Sequence, residues 1–175
     1  AVIVMALVVV VSFASRFAYL NADAPGSITE CGALLTDEGL YAASAIYHET
    51  MGQWYVEGGF NPIINLPVLQ VMQVGFFKIF GYGITALRLM IVIFEFLLLI
   101  VVAAFVARFE GLLTGLFAAT ILAVNHYYWI YSRLSIAEVP MLFFLFSAFV
   151  AAVYARGKWM YPLTVLSAVL YCTSL

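Results

Sequence analysis

The sequence predicts an all-α, polytopic membrane protein. Three observations carry that prediction. Two thirds of the 175 residues (66%) are hydrophobic and only 9% are charged, against ~25% charged residues in an ordinary soluble domain. The apolar residues gather into runs near the ~20 residues that a helix needs to cross a bilayer. Lipid offers the backbone no hydrogen-bond partners, so runs of this kind must be helical. The same composition excludes other classes. Seven bases and nine acids cannot clothe a soluble globule, which argues against a water-soluble enzyme and a disordered chain. The net charge of −2, with no basic cluster, argues against a nucleic-acid binder. Two cysteines, Cys31 and Cys172, make neither a disulfide framework nor a metal motif.

Taken in order, residues 1–20 form a first span with Arg16 near its end. A cleaved signal peptide ending at Ala22-Asp23-Ala24 is the other reading of this stretch, and the missing basic leader argues against it. The second span covers 84–107 and is interrupted by Arg88 and Glu95. The third runs 111–130, the fourth 136–155, and the fifth 159–175, where it is cut off. The chain begins and ends inside apolar runs, so a fragment of a longer protein is expected: one membrane module, 1–175, with about five spans.

Residues 21–83 are one long connection. It holds six of the nine acids, three of the five prolines and a single base, Lys78. A loop of this length beside such short ones is usually functional. Within it, Thr36 is placed to cap a helix, and Asp37 and Glu38 fall in its first turn, where the helix dipole favours acids. Leu40, Ala43, Tyr47 and Met51 recur at helical spacing, so 36–51 is expected as a helix at the membrane surface. Residues 66–80 are nearly all apolar but too short to span, which suggests an interfacial or re-entrant helix. Gly81-Tyr82-Gly83 then turns the chain. Basic residues mark the cytoplasmic side in short loops. Arg108, Arg156 and Lys158 occupy the two shortest connections, so the long loop and the 131–138 connection face outward.

Few residues in this chain are able to do chemistry. Asp37 and Glu38 are adjacent carboxylates just outside the membrane, suited to act as base and orienting partner; helix capping alone also explains them. Arg133 and Glu138 flank the third and fourth spans on the same side. Arginine matches phosphate geometry, although the residues by themselves favour an anchor in the aromatic belt of Tyr127, Tyr128, Trp129 and Tyr131. Five residues apart, Arg133 and Glu138 are not expected to pair within a helix. Arg88 lies one turn into the second span, snorkelling outward or facing the same cavity. Glu95, two turns deeper, is expected to serve structure, hydrogen-bonded to a neighbouring span while protonated. His126 beside Asn125 has no partner at ligand spacing, so no metal site is assigned. No cofactor is required, and a divalent metal is not indicated. The sequence has no phosphate-cradling loop, which argues against a soluble nucleotide-sugar donor.

The order of these segments resembles the GT-C superfamily of membrane glycosyltransferases, in its branch of protein O-mannosyltransferases and aminoarabinose (lipid A) transferases. The segments are Asp37-Glu38-Gly39-Leu40-Tyr41-Ala42, Gly52-Gln53-Trp54, Asn61-Pro62 through Pro67, Phe80-Gly81-Tyr82-Gly83, Leu87-Arg88 and Ser132-Arg133 with Glu138-Val139-Pro140. The match covers roughly 1–155. Two positions depart from the aminoarabinose transferases: Leu40 stands where they carry an Arg, and Leu66 where a Lys precedes the proline. The resemblance implies a sugar donor on a polyprenyl phosphate and a hydroxyl acceptor in protein, lipid or glycan. Transfer would occur with inversion on the outer face of a bacterial plasma membrane or the endoplasmic reticulum, the former favoured. It implies Asp37 as general base, Glu38 as orienting residue, and Arg133, Arg88 and, less directly, Lys78 at the donor phosphate. Glu138, His126, Tyr41 and Trp54 are supporting candidates. The fragment alone is expected to be inactive. A multi-span transporter or flippase, or a non-catalytic membrane subunit, are the competing classes; a transporter would place its polar groups near the bilayer midplane on broken helices.

Overall fold

The computed structural model describes residues 2–21 and 36–174, with side chains from 38 onward in the second stretch. The proposed cleavage site at Ala22-Asp23-Ala24 and the side chains of Thr36 and Asp37 lie outside the described residues. Every regular element among those described is a helix.

The centre of the fold is a 27-residue helix. Numbered in chain order, α1 is Val2–Ser15, α2 Thr36–Tyr41, α3 Ala43–Met51, α4 Pro67–Phe80, α5 Ile84–Glu110, α6 Leu112–Val124, α7 His126–Tyr131, α8 Glu138–Tyr154 and α9 Met160–Ser174. Helix α5 packs against α4, α6 and α8. Helix α1 lies on α6, and α9 on α8. At about 1.5 Å per residue α5 is ~40 Å long, more than the ~30 Å of a bilayer's hydrocarbon. Its most apolar window has a mean hydropathy of 3.1 with 39% of it buried, so most of that surface faces outward, unlike the core helix of a soluble protein. Among the described residues α5 is the one helix long and apolar enough to cross a membrane; α1, α4, α6 and α8 are shorter apolar helices.

Two expected helices are broken, for identifiable reasons. The expected helix over 36–51 is interrupted at Ala42. The break frees backbone groups, and the side chain of Gln70 on α4 takes them up: its Oε1 accepts from the Ala45 N–H at 3.0 Å and its Nε2 donates to the Tyr41 carbonyl at 2.6 Å. The expected third span over 111–130 is broken at Asn125, whose extended backbone ends α6. The Asn125 side chain caps α7 by accepting from the Tyr128 N–H at 2.9 Å. The first helix ends at Ser15, short of residue 20, and passes into turns. Helices α5 and α6 are joined by Gly111 alone, at φ +88°, a conformation glycine adopts without strain.

Candidate functional site

The site assembles where three segments meet the end of α1: helix α2, the start of α5 and the 132–138 connection. Glu38 in α2 is buried and faces Arg88 on α5. Arg88 Nε donates to Glu38 Oε1 at 2.9 Å and Nη2 to Oε2 at 2.7 Å, the two-pronged geometry that makes arginine–carboxylate pairs strong. The Ser135 N–H adds a third bond to Glu38 Oε1 at 2.6 Å, and Arg88 Nη1 reaches the Leu20 carbonyl at 2.7 Å. One carboxylate thus ties a loop helix, an apolar helix and a connection together.

Below it lies a second pair that sequence reasoning missed. Arg16 Nε approaches Glu95 Oε1 to 2.9 Å, both side chains fully buried. Arg16 also donates to Ser132 Oγ at 3.1 Å, to the Ser12 carbonyl at 2.5 Å and to the Ala123 carbonyl at 3.0 Å. The partner of Glu95 is therefore Arg16, in the turn just beyond α1 and within the segment expected as the first span; that the neighbouring group is a base was not foreseen. The signal was present in the sequence: a lone acid and a lone base inside apolar segments, where each needs the other.

Arg133 differs from Arg16 and Arg88. It donates to the carbonyls of Ala18 and Tyr19 and lies over the Trp129 ring, 4.6 Å from its centroid. No acid pairs with it among the described residues, and it is half-buried. Burial, followed by the Arg88 and Arg16 guanidinium charges, pushes its pKa down from the usual arginine value. A cation beside two others, without an acid of its own, favours an incoming anion. It makes no ion pair with Glu138, as their spacing suggested.

The remaining candidates are spread out. Asp37 falls in the backbone of α2, and its side chain lies outside the described residues. Lys78 is exposed in the last turn of α4 and makes no ion pair among the described residues. His126 is exposed at the start of α7. Trp54 is half-buried against the core of Ala42 and Ala45, its ring 4.2 Å from His48. Tyr41 and Glu138 line an apolar groove beside the site. Among the described residues no three His, Cys, Asp or Glu side chains gather as a metal site would require.

Comparison with family models, with curated proteins and with solved structures finds no match for this chain. Its chemistry is therefore argued from the site alone. Three guanidinium groups converge at and just beyond the end of α1; Arg88 pairs with Glu38 and Arg16 with Glu95, and Arg133 pairs with no acid among the described residues.

Proposed function

We propose that the chain is a multi-pass membrane module of a glycosyltransferase that takes a sugar from a polyprenyl-phosphate donor on the outer face. The observation that carries this reading is Arg133: a half-buried guanidinium with no acid partner among the described residues, one connection away from the helix bearing Asp37. The exposed apolar surface supports membrane embedding. Ile3 is 83% exposed, Leu7 61%, Ile121 51% and Val165 63%, on helices α1, α6 and α9, and such patches on a soluble protein would be unusual.

In the proposed reaction the acceptor hydroxyl attacks the anomeric carbon from the face opposite the phosphate. Its proton passes to the Asp37 carboxylate, the new C–O bond forms, and the bond from the anomeric carbon to the phosphate oxygen breaks. Polyprenyl phosphate leaves with the electron pair, and Arg133 stabilises that growing charge. In this reading Glu38 and Arg88 take a structural task beside the roles the resemblance implies for them. Occupied with each other, they act as positioning residues that hold α2 and the 132–138 connection in register.

The test follows release of free polyprenyl phosphate from a panel of polyprenyl-phosphate sugars, with the full-length parent protein in membranes. Wild type is expected to release it with one donor, and Asp37→Asn to lower the rate about 10²–10⁴-fold, the usual worth of a general base. Release that survives Asp37→Asn would reject the base assignment. No release from folded protein with any donor would reject the enzyme in favour of a transporter or a non-catalytic subunit.

A further inference from the structure

Arg16 and Glu95 are fully buried, and the proposed reaction uses neither. Burial costs both charges their water, so an ion pair of this kind is poor evidence of stability and asks for another role. Its surroundings give one. Arg16 Nε lies 2.9 Å from Glu95 Oε1 and donates to Ser132 Oγ at 3.1 Å. Ser132 is itself fully buried and directly precedes Arg133. Its hydroxyl donates onward to the Trp129 carbonyl at 3.0 Å.

The Arg133 side chain depends on the same segment. The carbonyls it bonds, those of Ala18 and Tyr19, lie just beyond Arg16 in the turns after α1. The indole beneath it, Trp129, is fixed by its Nε1, which donates at 3.0 Å to the hydroxyl of Ser15, the residue before Arg16. Arg16 also donates to the Ala123 carbonyl at the end of α6, at 3.0 Å. Arg16 is therefore the point where the 15–19 segment, α6, the 132–138 connection and α5 meet. Phe13 and Phe96 join α1 to α5 as well, with ring centroids 4.5 Å apart. That contact sets a spacing, whereas the Glu95 charge holds the group whose donors reach Ser132.

We propose that Glu95 is a positioning residue for Arg133. Its charge holds Arg16, Arg16 holds Ser132 and the 15–19 segment, and these set the Arg133 guanidinium over Trp129. Resting on the transferase reading, this makes Glu95 a determinant of donor-phosphate use that acts from within α5 without touching the donor.

The test uses the full-length parent protein in lipid nanodiscs, with fluorotryptophan placed at position 129 by codon suppression. A second preparation carries it at position 54, where Trp54 packs on the separate core of Ala42 and Ala45. Fluorine NMR of Arg133→Ala gives the shift produced when the guanidinium leaves the ring. Glu95→Gln, which keeps the shape and removes the charge, is expected to move the position-129 resonance in the same direction, and Glu95→Asp to return it towards wild type. Ser132→Ala deletes one hydroxyl and should move it too, which keeps the proposal testable if Glu95→Gln does not fold. The position-54 resonance should stay. An unmoved position-129 resonance, or equal movement at both positions, would overturn the positioning role. Steady-state kinetics then separate this role from the reaction itself. Glu95→Gln is expected to raise the donor KM about 2- to 30-fold, the usual reach of coupling through packed side chains, with the acceptor KM unchanged. Adding Arg133→Ala to it should cost little more. Fully additive losses, or a donor defect in Arg133→Ala alone, would reject the part given to Glu95. A fluorine response without a donor defect in either variant would keep the positioning and reject the phosphate role of Arg133.

Discussion

Glu38 and Arg88 lie fifty positions apart in the chain and share two short hydrogen bonds in a buried setting. Removing one partner strands the other charge, which costs about 3–5 kcal/mol, whereas removing both is far milder. Arg88→Met and Glu38→Gln are each expected to destabilise by that amount in a denaturation series. The double variant should lose much less than the sum, which a double-mutant cycle reads directly. Additive losses would show that the pair is not coupled. Arg133 is the contrasting case. Arg133→Ala should weaken use of the donor more than use of the acceptor in steady-state kinetics, and Arg133→Lys should restore part of it, since lysine keeps the charge without the planar fork. An equal effect on both substrates would remove the phosphate role. The residue types at these positions were legible in the sequence, and their partners were not. An arginine near a phosphate and an arginine locked to a carboxylate look alike until the fold brings Glu38 to Arg88.

Helix existence was legible from apolar run length and periodicity, and helix continuity was not. The stripe Leu40, Ala43, Tyr47 and Met51 reads as one helix because nothing local interrupts it. The interruption at Ala42 is held by Gln70, a side chain on α4 that supplies one acceptor and one donor. Gln70→Leu should therefore remove the side-chain acceptor of the buried Ala45 N–H, at about 1–3 kcal/mol. Hydrogen exchange should rise first at Ala45, and unchanged protection there would refute the bracing role. The α5–α6 contact has a similar dependence on one position. A Cβ at Gly115 would lie 2.5 Å from the Ala103 carbonyl oxygen and 2.7 Å from the Ala107 Cβ. Gly115→Ala should force the two helices apart at a cost of about 1–3 kcal/mol, seen as a lower Tm. Close approach through small residues is how apolar helices pack without a hydrophobic driving force.

For the whole molecule the testable statement is orientation. The proposed orientation puts Arg108, Arg156 and Lys158 on the cytoplasmic side and the 52–61 segment on the outer side. In a background with Cys31→Ser and Cys172→Ser, Tyr55→Cys should react with an impermeant thiol reagent from outside intact cells, and Lys158→Cys only after permeabilisation. The opposite pattern would invert the arrangement and remove the outer-face reaction.

The sequence by itself determined that the protein is helical and that it carries a helix suited to a membrane. Both follow from local quantities: apolar composition, run length and the backbone's need for internal hydrogen bonds in lipid. Which buried charges are paired with acids, and with which, was decided by tertiary structure alone. Burial makes every charge find a counterpart, and the counterpart is chosen by which helices pack together. Arg16, in the turn after α1, finds Glu95 on α5, and Glu38 on α2 finds Arg88 on α5. Arg133, set among backbone carbonyls and an indole ring, is left with its charge unanswered among the described residues.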